Sequence, residues 1–152
     1  MITDNKNTGD EKIMSNDLAS SIFNLTVPKT NNNSEVIVLN TDDTNLSSKE
    51  QIKITVEQDT NATILINHQN KTTDSSINQI SIFVNKNADV KIYETILSDS
   101  IKSKNQIFLQ AQNASATCVN IFLGSTNQKI SVETKMQHLA DQTEGNTLCR
   151  AV

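Results

Sequence analysis

Aromatic side chains make up only 3% of this 152-residue chain, and tryptophan is absent. A globular β-sandwich would want larger inward rings, so the composition favours a narrow core of stacked Ile, Val, Leu and Ala. Glycine occurs 3 times and proline once, which leaves β-hairpins without the Asn-Gly and Asp-Gly turns they use. The two cysteines, Cys118 and Cys149, do not make a disulfide framework. No apolar run approaches the length that spans a bilayer. Met1 to Asp17 carries Asp4, Asp10, Glu11 and Asp17 where a secretory signal would be basic and then apolar. The expectation is a cytoplasmic protein with no membrane partner. The formal charge is −4 with Lys and Arg dispersed along the sequence, so nucleic-acid binding lacks its electrostatic footprint.

Against these absences stands a repeat. Alternating apolar stretches begin at Ile52 (Ile52, Ile54, Val56), Ile80 (Ile80, Ile82, Val84) and Ile107 (Ile107, Leu109, Ala111), an interval of about 27 residues, within the range of repeat architectures. After each comes a polar break, at 57–61, 85–87 and 112–113, and then a second alternating run. These runs are Ala62, Ile64, Ile66; Ala88, Val90, Ile92; and Ala114, Ala116, Cys118. Each unit reads as strand, corner, strand, and the stack of units as an all-β solenoid. Asparagine takes the corners, because it tolerates the left-handed backbone region and its amide can bond the next coil. A codon bias toward Asn, Ile and Lys gives the same enrichment without structural selection.

Along the chain, residues 1–16 are polar and aperiodic and read as a flexible tail, followed by one domain over 17–152. Asp17 to Ser20 could cap a helical turn. Ile22 to Val27 is a strand ended by Pro28, and Glu35 to Leu39 is another. Loops are expected at 40–49 and 69–76, a third coil over Asn105 to Leu123, and a strand over Lys129 to Gln137. His138 to Asn146 reads as a loop, and Thr147 to Val152 as the opening of a strand. The C-terminal edge shows no cap, so its backbone groups are free to pair with another chain, including a second copy.

Chemistry-bearing residues are few. Cys118 shares the inward phase of Ala114 and Ala116 and reads as a small buried residue. Cys149 precedes Arg150, a cation that could lower its thiol pKa. His138 closes a strand, where a structural histidine bonding the loop backbone is favoured over a ligand or an acid/base group. His68 reads as an exposed loop residue. No Cys-x-x-Cys or His-x-x-x-His spacing forms a metal site, no glycine-rich loop cradles a phosphate, and no nucleophile pairs with a base. Asp59, Asp89 and Asp99 do not align on an outer face as a polysaccharide-cleaving β-helix would require. The expected catalytic, cofactor-binding and metal-binding residues are therefore none.

The segment Gln137-His138-Leu139-Ala140-Asp141-Gln142-Thr143-Glu144-Gly145-Asn146-Thr147-Leu148-Cys149-Arg150-Ala151-Val152 resembles the signature of the SufB/SufD family. There a His after a strand is followed by a polar loop and then a Lys or Arg with a small and an aliphatic residue. Asn113 to Thr117, Leu123-Gly124 and Ile130 to Thr134 are similar to the stretch preceding that histidine. Ile54 to Thr63 is similar to the family's first full coil, and Val27-Pro28-Lys29 to its Val-Pro-Lys step. Asp141 and Gly145 depart from the family's usual Pro and Ser. The resemblance implies a right-handed parallel β-helix, a single-stranded solenoid. It also implies a truncated one, an internal piece without the family's N-terminal helical region, later coils or C-terminal helices.

By the same resemblance the chain is a non-catalytic scaffold component of the SUF iron–sulfur cluster assembly complex, nearer SufD than SufB, or a fragment of one. It would be partnered by a SufB-like sister subunit and a SufC-like ATPase. No cofactor is expected on the chain alone; an iron–sulfur cluster is implied at the level of the complex. The rival readings are a small β-helical carbohydrate-active enzyme and an adhesin-like structural solenoid.

Overall fold

The computed structural model describes residues 14–15, 22–29, 34–41, 51–69, 79–97, 100–124, 127 and 129–152. Period-two alternation of β-branched residues produces strands at nearly every place it occurs. They are β1 (Met14–Ser15), β2 (Ile22–Val27), β3 (Glu35–Asn40), β4 (Gln51–Val56), β5 (Asn61–His68), β6 (Gln79–Val84), β7 (Asp89–Ile96), β8 (Ser100–Leu109), β9 (Ser115–Phe122), β10 (Lys129–His138) and β11 (Glu144–Ala151). One sheet runs in the order β1-β2-β4-β6-β8-β10 and the other β3-β5-β7-β9-β11. Every pairing is parallel except β1 with β2. From β2 onward successive strands therefore alternate between two facing sheets of parallel pairs, which is a β-solenoid, and among the described residues there is no helix.

Inward residues stack in columns along the axis. Leu25, Ile54, Ile82, Ile107 and Met136 form one; facing it, Ile37, Ile64, Ile92, Cys118 and Thr147 form another. Ile52, Ile54, Ile64, Ile66, Ile80, Ile82, Ile92 and Ile107 are all buried to within 1%. Each full burial of such a side chain stabilises by roughly 1.5–3 kcal/mol, so these columns are the main favourable contribution to the fold. Small inward branches suffice because the two sheets are joined by short corners, which explains a core with one phenylalanine, Phe23, among its buried hydrophobics.

The corners are built as their asparagines predict. Asp59, Asn87, Asn113 and Gln142 all have φ between 54° and 58°, the left-handed region that Asn and Asp enter most readily after glycine. Asn87 Nδ2 donates to Asp59 Oδ1 at 2.9 Å and Asn113 Nδ2 to Asn87 Oδ1 at 3.0 Å. At the foot of the file Lys29 Nζ donates to Asp59 Oδ2 at 3.2 Å. These bonds, Asn87's first, hold the Asp59 carboxyl below its ordinary value.

The structure revises the sequence reading in four places. Coil alignment differs by two residues: Ile107 pairs with Ile82, not Ile80, and Ala88 is the counterpart of Thr60, through the Asp89 N–H to Thr60 C=O and Ser115 N–H to Ala88 C=O bonds. A two-residue offset preserves the face each side chain points to, so the inward set is unchanged. The third coil begins at Ser100 instead of Asn105. The loop after β10 is only 139–143, because β11 already starts at Glu144 and pairs with β9 throughout. Finally, His68 is no loop residue: it closes β5 at 1% exposure. Of the segment read as a tail, Met14–Ser15 pairs with β2; the remainder of that segment, the helical turn at 17–20 and most of the loops at 40–49 and 69–76 lie outside the described residues.

Candidate functional site

The interior changes character along the axis. In one sheet the column Phe23, Ile52, Ile80 continues as Asn105 and Thr134. In the facing sheet Leu39 and Ile66 continue as Glu94, Asn120 and Cys149. A carboxylate at an inward position must find donors or lose its charge, and Glu94, with 0% exposure, finds three. His68 Nε2 donates to Glu94 Oε1 at 2.7 Å, Ser103 Oγ to the same oxygen at 2.5 Å, and Asn105 Nδ2 to Oε2 at 2.5 Å. Behind the imidazole, Thr41 Oγ1 lies 3.0 Å from His68 Nδ1 and 3.2 Å from the Asn67 carbonyl.

Burial by itself would raise the Glu94 pKa, but the His68 bond and charge, with help from Ser103 and Asn105, outweigh it and hold the carboxyl below its ordinary value. The group is thus kept ionised with its oxygens occupied, which suits it to fasten the two sheets and not to accept a proton from a substrate. Asn105 Oδ1 is the one buried side-chain oxygen or nitrogen among the described residues without a partner.

One layer further on, Asn120 Nδ2 donates to Thr134 Oγ1 at 2.9 Å and Cys118 Sγ lies 3.6 Å from Asn120 Oδ1. Burial, reinforced by the Glu94 charge, pushes the Cys118 thiol up to about 12, against the opposing bond from Thr134. It is a buried thiol in the place an isoleucine holds in the coils before it, as its phase predicts. Cys149 is exposed. Strand β11 puts it beside the inward Asn120, while Arg150 pairs with Ile121 on the opposite face. The pleat therefore puts Cys149 and Arg150 on opposite faces of the strand.

His138 ends β10, and its Nδ1 lies 2.7 Å from Thr143 Oγ1, which in turn donates to the Ala140 carbonyl at 3.1 Å. The histidine thus meets the loop through the Thr143 hydroxyl, and it is Thr143, not His138, that bonds the loop backbone. Gly145 is inward beside this group: a Cβ there would overlap the Met136 sulfur and lie 3.1 Å from His138 Nε2. Among the described residues no three His, Cys, Asp or Glu side chains assemble into a metal-holding group. A surface depression lined by Glu57, Gln58, Asn85, Lys86 and Ala111 carries no serine, threonine, cysteine or histidine.

Sequence reasoning named Cys118, Cys149 and His138 but missed the Glu94 cluster. Its signal was present: Glu94 interrupts the inward phase of Val90, Ile92 and Ile96, and His68 that of Ala62, Ile64 and Ile66.

The geometry defines a two-sheet parallel β-solenoid with an apolar first half and a polar, hydrogen-bonded second half. The family model for SUF system FeS cluster assembly, SufBD core domain, matches residues 14–152. The chain belongs to that family, the one its C-terminal signature and coils resemble. No curated protein and no solved structure matches it.

Proposed function

We propose that this chain is a SufD-like, non-catalytic scaffold component of the SUF complex, acting in the cytoplasm through a domain over 17–152. Its partners on this reading are a SufB-like sister subunit and a SufC-like ATPase, and the iron–sulfur cluster is cargo of the whole complex. The family match over 14–152 carries the proposal. The interior supports it: Glu94 is spent on holding sheet to sheet through Ser103 and Asn105, His68 on holding Glu94 from the neighbouring strand, and Cys118 is a protonated thiol. A solenoid fastened in this way is a stiff body for presenting surfaces to partners.

Co-expression with a SufB-like subunit and a SufC-like ATPase tests this directly. The expected result is a complex that co-purifies in fixed ratio and acquires cluster absorption in the visible after addition of iron and sulfide. If the chain elutes free of both proteins, or cleaves oligosaccharides, the scaffold reading is wrong.

A further inference from the structure

The outer face of the sheet containing β8 and β10 gathers charge that the linear sequence disperses. Lys102 and Lys104 point outward from β8, in alternation with the buried Ile101, Ser103 and Asn105. Register places Lys129 beside Ser100, Ser131 beside Lys102, Glu133 beside Lys104 and Lys135 beside Gln106. Lys129 and Lys135 are exposed, as is Lys53 in the same transverse row as Gln106. Glu133 is the only carboxylate among the described residues of this face, and none of the four lysines of β8 and β10 is in an ion pair among the described residues. Side chains on one strand face repeat every ~6.6 Å and strands lie about 4.8 Å apart, so four ammonium groups share a patch two strands wide. The chain carries −4 overall, so this concentration is local.

We propose that this face is a docking surface for an extended acidic segment of a partner protein. Carboxylates at alternate positions of an extended chain share the spacing of Lys102 and Lys104, and pairing them with free ammonium groups gives the complementarity that steers and orients protein association. A nucleic acid fits the face less well. Single strands bind on open aromatic faces, whereas Phe83 is stacked on Phe108 at 4.8 Å and 7° and is covered by Lys53 Nζ at 5.0 Å from its centroid. The face also has no arginine among its described residues to grip phosphate bidentately. The proposal stands apart from the SufD-like role, since it rests on the arrangement of charge alone.

The test uses the full chain and a fluorescent peptide with Glu at every second position. Its controls are the same peptide with Gln in those positions and an oligothymidine of equal charge. Expected are binding of the Glu peptide at low salt, its loss when added salt shortens the screening length, and no binding of the Gln peptide. The variant Lys102→Gln/Lys104→Gln/Lys129→Gln/Lys135→Gln should bind about tenfold or more weakly. Lys86→Gln/Lys91→Gln, on a corner and on the other sheet, should change binding less than about twofold. If the fourfold variant fails to fold by circular dichroism, Lys102→Glu and Lys135→Glu singly must each weaken binding. Failure of the Glu peptide to bind, undiminished binding by the lysine variants, or tighter binding of the oligothymidine than of the peptide would overturn the proposal.

Discussion

Replacing Glu94 by alanine should remove a large part of the stability of this domain. The substitution leaves His68 Nε2, Ser103 Oγ and Asn105 Nδ2 facing one another without their common acceptor. Deleting one partner of a buried charged network costs about 3–5 kcal/mol, against a total of about 5–15 kcal/mol for a domain. For this chain length the melting temperature should fall by about 6–20 °C. Glu94→Gln should cost only about 1–2 kcal/mol, because the new amide NH2 can donate to Asn105 Oδ1, now without a partner, if the Asn105 amide turns over. The pH dependence has a definite sign. Since the folded Glu94 pKa is lowered from 4.5, its stabilisation is complete above that value and is lost as pH falls through the lower folded value. Urea unfolding followed by circular dichroism, at neutral pH and at a series of acid pH values, reads both effects. An alanine variant within about 1 kcal/mol of the parent, or a glutamine variant with the parent's acid dependence intact, would refute the idea that this carboxylate clamps the sheets.

Asn87→Ala should destabilise more than Asn87→Gly, because the φ of 54° strains any Cβ-bearing residue without Asn's local bonds, and in both variants the Asp59 carboxyl should titrate closer to 3.8 in an NMR pH series. A thiol reagent at neutral pH should label Cys149 alone in the folded chain and both cysteines in denaturant, since Cys118 is buried with its pKa near 12. Strands β10 and β11 stand at the ends of their sheets, with Leu148 at 44% and Val152 at 76% exposure. Expressed alone, chain 1–152 should therefore self-associate as concentration rises; a constant monomer mass in light scattering would count against it.

Strands β4 to β7 were legible because Ile and Val repeat at every second position and, before Glu94, only His68 at the end of β5 puts a polar side chain in their inward phase. The first half of β8 was hidden for the same physical reason that makes it matter: Ser103 and Asn105 occupy inward positions to bond Glu94, so the hydrophobic alternation vanishes where the network begins. Of β11 the stretch from Thr147 was legible as a strand opening, whereas its start at Glu144 was hidden because Gly145 and Asn146 are residues that turns favour. Asparagine's corner role was legible from its backbone tolerance, whereas the lysine patch was not, because residues 102–104 and 129–135 become neighbours only through the β8–β10 register. His68 lies two positions along β5 from Ile66, the register partner of Glu94, and only the stacking of coils turns that offset into a hydrogen bond.

The two ends of each strand layer are connected on different terms. The turns at 57–60, 85–88, 110–114 and 139–143 are locked to one another by side-chain rungs and recurrent left-handed residues. The opposite connections, 41–50, 69–78, 97–99 and 123–128, span ten, ten, three and six residues while the parallel pairing on either side keeps its register. A single residue inserted at 85–88 would therefore break the file of rungs and displace every layer stacked above it.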